Sequence, residues 1–309
     1  MKKVLITGAT GFIGRHCLPS LLEVGYEVHA ISSKTSTSKL PNVYWHHADL
    51  LDRERVSRLI AEVRPTQLLH FAWFTAPGEY WNSSENLRWV QASLNLLQAF
   101  ASYGGRRVVM AGTCAEYDWQ YSYCSEQVTP LAPATLYGAC KHSLQIMLEA
   151  SARQTGLSAA WGRIFFLYGP HEHPDRLVSS VICSLLKGEP ARCSHGNQIR
   201  DVLYVEDVAE AFVALLESSA SGAVNVASGC PIALRDIIYK IAEKIGRKDL
   251  IQLGVLPVSV HEPHMLVADV SRLTNEVGWL PKYNLDRGLE QTIAWWKSYF
   301  IEKEYESAK

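Results

Sequence analysis

The first fourteen residues constrain the fold more than any other stretch of the chain. They read Met1-Lys2-Lys3-Val4-Leu5-Ile6-Thr7-Gly8-Ala9-Thr10-Gly11-Phe12-Ile13-Gly14. A short apolar run passes straight into three glycines spaced three apart, and then into a helix-like segment. That is the pattern of a buried strand handing over to a tight turn and a helix N-terminus. Glycine lets the backbone turn sharply and approach a pyrophosphate closely, while the helix end offers free N–H groups and a positive dipole. The spacing is Gly-x-x-Gly-x-x-Gly, not the Gly-x-Gly-x-x-Gly of ordinary dinucleotide-binding turns. Alone it is a weak signal, because a strand-to-helix turn that binds nothing reads the same way. A second motif far downstream, Tyr137-Gly138-Ala139-Cys140-Lys141, gives it weight.

The first half alternates strand-like and helix-like segments. Strands are predicted at Val4–Thr7, Glu27–Ile31, Val43–His46, Gln67–Ala72, Arg107–Ala111 and Ser158–Phe166. Helices are predicted at Gly14–Glu23, Arg53–Val63, Leu87–Tyr103 and Leu136–Gln154. Such alternation predicts an α/β fold, a doubly wound parallel sheet with helices on both faces. The second half is less regular. It reads as helices at Arg176–Lys187, Val205–Ser218, Leu234–Ile245 and Leu285–Phe300, with a short strand at Val224–Ala227. Turn residues at Tyr168-Gly169-Pro170 place a boundary there. Residues 1–168 are expected to form the dinucleotide-binding domain and 169–309 a smaller mixed α/β substrate lobe, with 205–227 packing back on the first domain.

Composition narrows the partners. Hydrophobic residues make up 48% and charged residues 20% of the 309, ordinary values for a folded globular protein. The net charge of -1 makes nucleic acid and anionic membranes unexpected partners. No apolar run approaches the ~20 residues needed to cross a bilayer. The chain starts on a strand rather than a signal peptide. The seven cysteines are scattered without a Cys-x-x-Cys pair, which reads as reduced thiols in a cytoplasm and gives no metal site.

Tyr137 and Lys141 lie four apart on a predicted helix and so share a face. A lysine ammonium one turn away favours a phenolate, and the pair can then move a proton at a carbonyl or carbinol oxygen. Thr113 follows the fifth strand, at the carboxyl edge where ligands of such sheets bind. Its hydroxyl can polarise a substrate oxygen, or simply cap the strand end. His171 and His173 have no third metal ligand nearby and read as groups that reach a substrate or act as an extra acid, or as loop histidines facing water. Arg176 reads as a substrate contact or as a helix-start charge. Trp73, Phe74, Tyr80 and Trp81 read as an active-site roof or as packing.

Taken together, these segments resemble the extended short-chain dehydrogenase/reductase family of nucleotide-sugar epimerases, dehydratases and reductases. The resemblance rests on Thr7–Gly14, Asp49-Leu50, His70-Phe71-Ala72-Trp73, Thr113, Tyr137–Lys141, Arg163–Pro170 and Arg200–Val208, and so runs through nearly the whole chain. It implies a nicotinamide cofactor and a nucleoside-diphosphate sugar. It places the pyrophosphate at Gly8, Gly11, Phe12, Ile13 and Gly14, the adenine at Asp49 and Leu50, and the rest of the cofactor against Phe71, Ala72 and Trp73. Thr113, Tyr137 and Lys141 would be the catalytic triad, with the Lys141 ammonium also reaching ribose hydroxyls. Trp73, His171, Arg176 and Arg200 would face the substrate, Arg200 resembling the arginine that meets the diphosphate. Relatives pair as homodimers through helices corresponding to Leu87–Tyr103 and Leu136–Gln154, so a homodimer is expected.

Departures from the family pattern bear on cofactor and reaction. The acid that binds ribose hydroxyls at the end of the second strand is replaced by Ser32 or its neighbour. Ser33, Lys34 and Arg15 can instead meet a 2′-phosphate, so NADP(H) is preferred, with NAD(H) possible. Dehydratases of the family carry Asp-Glu directly after the catalytic threonine, where this chain has Cys114 and Ala115, and Glu116 comes one place late. Phe166 replaces the asparagine before Tyr-Gly-Pro, and Trp89 stands where many members have asparagine. The expected activity is NADPH-dependent reduction of a nucleoside-diphosphate 4-keto-6-deoxyhexose, as in the synthases of CDP-linked dideoxy sugars. An NAD-dependent 4-epimerase is the alternative, and a non-sugar carbonyl reductase the third reading. A non-catalytic NADP sensor would typically have lost the tyrosine or the lysine, and both are present.

Overall fold

The computed structural model describes residues 2–33, 40–258 and 262–307. Its centre is a seven-stranded parallel sheet built from β1 (Lys3–Thr7), β2 (Glu27–Ser32), β3 (Val43–His47), β4 (Gln67–His70), β5 (Arg107–Thr113), β7 (Ser158–Ile164) and β11 (Gly222–Val226). The spatial order is β11-β7-β5-β4-β1-β2-β3. The chain winds outward in one direction through β1, β2 and β3, then returns to β1's other side with β4. A crevice therefore opens between the carboxyl ends of β1 and β4, the switch point where ligands of such sheets lie.

Alternation along the strands explains how both faces are covered. In β1, Val4 and Ile6 pack toward α1 (Gly14–Glu23) and α6 (Val205–Glu217), whereas Leu5 points to the other layer. That layer contains α2 (Arg53–Val63), α3 (Glu85–Ser102) and α4 (Leu136–Thr155). In β5, Val109 and Ala111 face the first side, and Val108 and Met110 the second. The side-chain period of two thus feeds two cores from each strand. Asp52 starts α2 by accepting the Arg55 N–H at 3.0 Å, and Gly156, in the left-handed conformation, ends α4.

The second unit is only partly legible from the sequence. A five-stranded sheet joins β12 (Pro231–Ala233), β10 (Ile199–Tyr204), β14 (Met265–Ala268) and β6 (Tyr123–Cys124), with β8 (Phe166–Tyr168) also on β10. A small pair, β9 (Ala191–Arg192) and β13 (Ile251–Gln252), lies apart. These strands are two to six residues long and recruit partners far away in sequence, so local periodicity does not mark them. Helices α5 (Leu177–Leu186), α7 (Leu234–Ile245) and α9 (Leu285–Ser307) enclose their own core around Ile182, Ile241 and Trp296, and the short α8 (Ser271–Asn275) follows β14. Residues 205–226 do not stay with that unit: α6 packs on α1, and β11 is the outer strand of the main sheet beside β7. Among the described residues no helix is long and apolar enough to cross a membrane, and no group of three or more His, Cys, Asp or Glu can hold a metal ion. All seven cysteines are free thiols, and only Cys230 is exposed.

Candidate active site

The glycine turn is tight for identifiable reasons. Gly8 has φ +69°, and a Cβ there would stand 2.9 Å from the Ala72 amide nitrogen. The loop after β4 therefore presses directly on the turn. The Gly11 N–H closes it onto the Gly8 carbonyl at 2.8 Å, and a Cβ on Gly14 would collide with that same carbonyl oxygen. No side chain caps α1, and the Arg15 and His16 N–H groups turn back to the Gly11 and Ile13 carbonyls at 3.4 and 3.0 Å. A glycine-lined backbone turn leading into a helix N-terminus suits a dinucleotide pyrophosphate.

Behind this turn runs a buried polar chain. The Ser93 hydroxyl donates to the Trp89 carbonyl (2.7 Å), so it accepts from His70 Nε2 (2.8 Å). His70 Nδ1 then accepts from Thr7 Oγ1 (2.6 Å), which itself accepts the Ala72 N–H (3.3 Å). Burial, helped by the Lys141 charge, pushes the His70 imidazole down to about 3, so it stays neutral and holds this one tautomer. The chain ties β1, β4 and α3 together under the turn.

The three residues expected to do chemistry converge at the carboxyl edge. Thr113 ends β5 and caps the short turn Cys114–Glu116, accepting the Ala115 N–H at 3.2 Å, and it also hydrogen-bonds the Tyr137 hydroxyl. It is thus both strand-end cap and partner of the tyrosine. Thr135 starts α4 by accepting the Gly138 N–H at 3.1 Å. Gly138 matters for a reason local pattern hid: a Cβ there would collide with the Ala115 carbonyl, so only glycine lets α4 come close enough for Tyr137 to meet Thr113. Lys141, only 4% exposed, donates to the Ala111 carbonyl at 2.8 Å and lies over the Trp73 ring, 3.8 Å from its centre.

The electrostatics differ from expectation. Helix spacing alone predicts that Lys141 pulls the Tyr137 phenol down. In the fold, burial pushes it up, with Tyr80 adding to the rise and the Thr113 hydrogen bond opposing it. The reason is geometric, because the lysine turns to the Ala111 carbonyl and the indole face, and Tyr80, Trp81 and Trp73 crowd the tyrosine ring edge-on at 4.9, 5.8 and 6.5 Å. Burial also brings Lys141 down to about 7, opposed by the Glu116 charge.

Glu116, whose charge acts on both Tyr137 and Lys141, is itself fully engaged. It is fully buried and accepts N–H groups from Thr113 (2.8 Å), Trp161 (2.9 Å) and Arg163 (2.7 Å). Sequence reasoning missed Arg163 and Trp161 as its partners, because β7 meets that turn only in the folded sheet. Asn86 was also missed: it accepts the Trp73 indole N–H at 2.8 Å and donates to the Tyr80 and Ser83 carbonyls.

The remaining expected residues are spread around this centre. Phe12 and Ile13 form the turn into α1, and Phe71 packs edge-on against Phe212 at 4.8 Å. Arg15 folds back on the turn, donating to the Gly11 and Thr10 carbonyls (3.1 and 2.5 Å) and to His171 Nδ1 (2.6 Å). His171, with φ +70° and its ring 4.5 Å from Trp295, therefore stands on the glycine-turn side of the fold. Ser32 is buried at the end of β2 and Ser33 is exposed, while Lys34 lies outside the described residues. Asp49 is exposed and accepts the Leu51 N–H at 3.0 Å, with Leu50 buried beside it. Arg176 reaches the roof, hydrogen-bonded to Tyr80 with its guanidinium 5.4 Å from that ring centre. Arg200 lies inside the fold. It is 2% exposed, lies 5.2 Å over Phe166 and meets Glu262 at 2.8 Å, whereas Asp201 binds the Ser228 and Gly229 amides.

A parallel sheet with a glycine-lined turn at its switch point and a threonine–tyrosine–lysine group beside it defines a dinucleotide-dependent oxidoreductase-type enzyme. The chain belongs to the NAD dependent epimerase/dehydratase family, whose signature matches residues 4–227. It is 28% identical to UDP-glucuronic acid decarboxylase 1 of Xenopus tropicalis, over 96% of this chain and 72% of that protein. It is 25% identical to UDP-glucuronate 4-epimerase of Thermodesulfobacterium geofontis, over 95% of each. The crystal structure of Thermus thermophilus UDP-glucose 4-epimerase, a complex with NAD, superposes with a TM-score of 0.81. It is 28% identical, over 96% of this chain and 99% of that one.

Proposed function

We propose that the chain moves hydride between a nicotinamide cofactor and C4 of a nucleoside-diphosphate hexose. One observation carries this reading: Thr113, Tyr137 and Lys141 meet at the carboxyl edge of β5, while the carboxylate of Glu116, in the turn that follows, is engaged by Arg163, Trp161 and the Thr113 N–H. Proton transfer at an oxygen is thereby provided, and a free base for elimination next to a ketone is not. Gly8, Gly11 and Gly14 would hold the pyrophosphate, Asp49 and Leu50 the adenine, and Phe71 to Trp73 the nicotinamide half. When bound, the cofactor accepts and returns hydride. Tyr137 takes the proton of the C4 hydroxyl or returns it to the ketone, Thr113 holds that oxygen, and Lys141 keeps positive charge beside the developing phenolate. Arg200, released from Glu262, would pair with the diphosphate.

Net 4-epimerisation is the outcome that the relatives favour, since two of those compared are named as 4-epimerases. Net reduction of a 4-keto-6-deoxyhexose with NADPH, as in CDP-dideoxysugar synthesis, is the second reading. Two features favour it: the end of β2 carries Ser32 and Ser33 instead of an acid, and burial keeps Tyr137 protonated, ready to donate. Residues 1–168 with 205–227 would form the cofactor-binding unit and the rest the sugar-nucleotide lobe. A homodimer through α3 and α4 would cover Leu87 and Ile146, 57% and 53% exposed.

The test is incubation with UDP-hexoses and with nucleoside-diphosphate 4-keto-6-deoxyhexoses, with and without NADH or NADPH. Sugar interconversion without net change in nicotinamide absorbance establishes the epimerase, and stoichiometric NADPH consumption establishes the reductase. Either activity should fall about 10²–10⁴-fold in Tyr137→Phe. Activity that survives this substitution refutes the proposal.

A further inference from the structure

Lys141 is a buried cation with an unusual set of neighbours. Among the described residues no carboxylate lies within ion-pair distance of it. Its one hydrogen-bond acceptor is the Ala111 carbonyl, and its closest aromatic face is Trp73, with Trp161 farther off at 6.0 Å. The Trp73 indole is anchored through its N–H. Its N–H donates to Asn86 Oδ1, and Asn86 cannot turn, because its amide nitrogen is already committed to the Tyr80 and Ser83 carbonyls at 2.6 and 2.9 Å. Asn86 is fully buried. An indole that donates its N–H to an acceptor has a more electron-rich face, and that face is what the ammonium meets.

We propose that Trp73, clamped by Asn86, is a positioning residue that holds Lys141 at the Ala111 carbonyl as an ammonium. The proposal rests on the reading of Lys141 as the partner of Tyr137, but its test does not need turnover. The charged and titratable groups around the lysine are few. Glu116 acts from the turn after β5 and favours the ammonium through space, with its oxygens already engaged by Arg163, Trp161 and Thr113. His70, from β4, is neutral, and Tyr137 lies one turn earlier on α4. Burial, opposed by the Glu116 charge, brings Lys141 to about 7. A desolvated cation–π contact is worth about one pH unit at such a site.

The experiment is a pH titration of the lysine Cε resonances in full-length protein carrying [¹³Cε]lysine, with Lys141→Met to assign the signal. The expected midpoints fall in the order wild type, Trp73→Phe, Trp73→Leu, the last about one unit below the first. If Trp73→Leu does not fold, the Phe variant still carries the comparison. Equal midpoints overturn the proposal, whatever the substrate proves to be. In turnover, the alkaline limb of the kcat profile should move down with the midpoint. A loss of kcat that is uniform across pH would show that the indole only packs, and would also overturn it.

Discussion

Replacing Glu116 by Gln should destabilise the fold by about 3–5 kcal/mol, the range for removing one partner of a buried ion pair. Glu116 and Arg163 are 0% and 1% exposed, so neither solvent nor salt can substitute for the lost charge. A glutamine carbonyl can still accept from Thr113 and Trp161, which the carboxylate meets at 2.8 and 2.9 Å. The glutamine amide, however, would then present N–H groups to the Arg163 Nε, which now donates to the carboxylate at 2.7 Å. Arg163 would remain a buried cation with only neutral acceptors, the Tyr117 hydroxyl at 3.1 Å and Gln145 at 2.7 Å. At about 2–4 °C per kcal/mol for domains somewhat smaller than this chain, the melting temperature should fall by about 6 °C or more. Urea unfolding followed by tryptophan fluorescence measures the free energy directly, and a loss below about 1 kcal/mol would refute the argument. Removing the cation too, in Glu116→Gln with Arg163→Met, should recover most of the stability, because the penalty lies in the orphaned charge.

Three further outcomes follow from the same geometry. Gly14→Ala drives a methyl onto the Gly8 carbonyl, so the turn must open, and calorimetric affinity for NAD(H) or NADP(H) should fall at least about tenfold while the fold persists. Arg200→Ala should weaken nucleoside-diphosphate binding by roughly 10–150-fold, the value of a charge-assisted contact of about 1.5–3 kcal/mol, read by titration with UDP or CDP. Glu172 is buried beside Ser179, and burial raises its carboxyl to about 7. A native value above the unfolded one stabilises the fold at low pH, and that contribution is lost as pH rises from about 4.5 through 7. Glu172→Gln keeps an acceptor for Ser179, so it should exceed wild type in stability at pH 8, by on the order of 3 kcal/mol, and flatten that limb. Coincident stability curves for the two proteins above pH 7 would show that Glu172 is not held protonated.

The sequence by itself determined the parallel sheet and the positions of its helices. The ends of α1, α2 and α7 fall where the apolar spacing and the caps put them, because those signals are local: a core stripe, an Asp52 cap, a Gly246 stop. It also brought Thr113, Tyr137 and Lys141 together as candidates, since strand end and helix face are properties of short segments. What it did not determine is what surrounds each group. The five-stranded second sheet is assembled from pieces of β6, β8, β10, β12 and β14 that lie far apart along the chain. Whether Arg15 reaches outward or folds onto the Thr10 and Gly11 carbonyls, and whether Arg200 meets Asp201 or Glu262, depends on neighbours separated by as many as 156 residues. The proton affinities of Tyr137 and Lys141 follow from burial and from Tyr80, Thr113 and Glu116 around them, so tertiary packing sets them. Spacing in sequence shows which groups can share a face, and only the folded environment decides which of them carries charge.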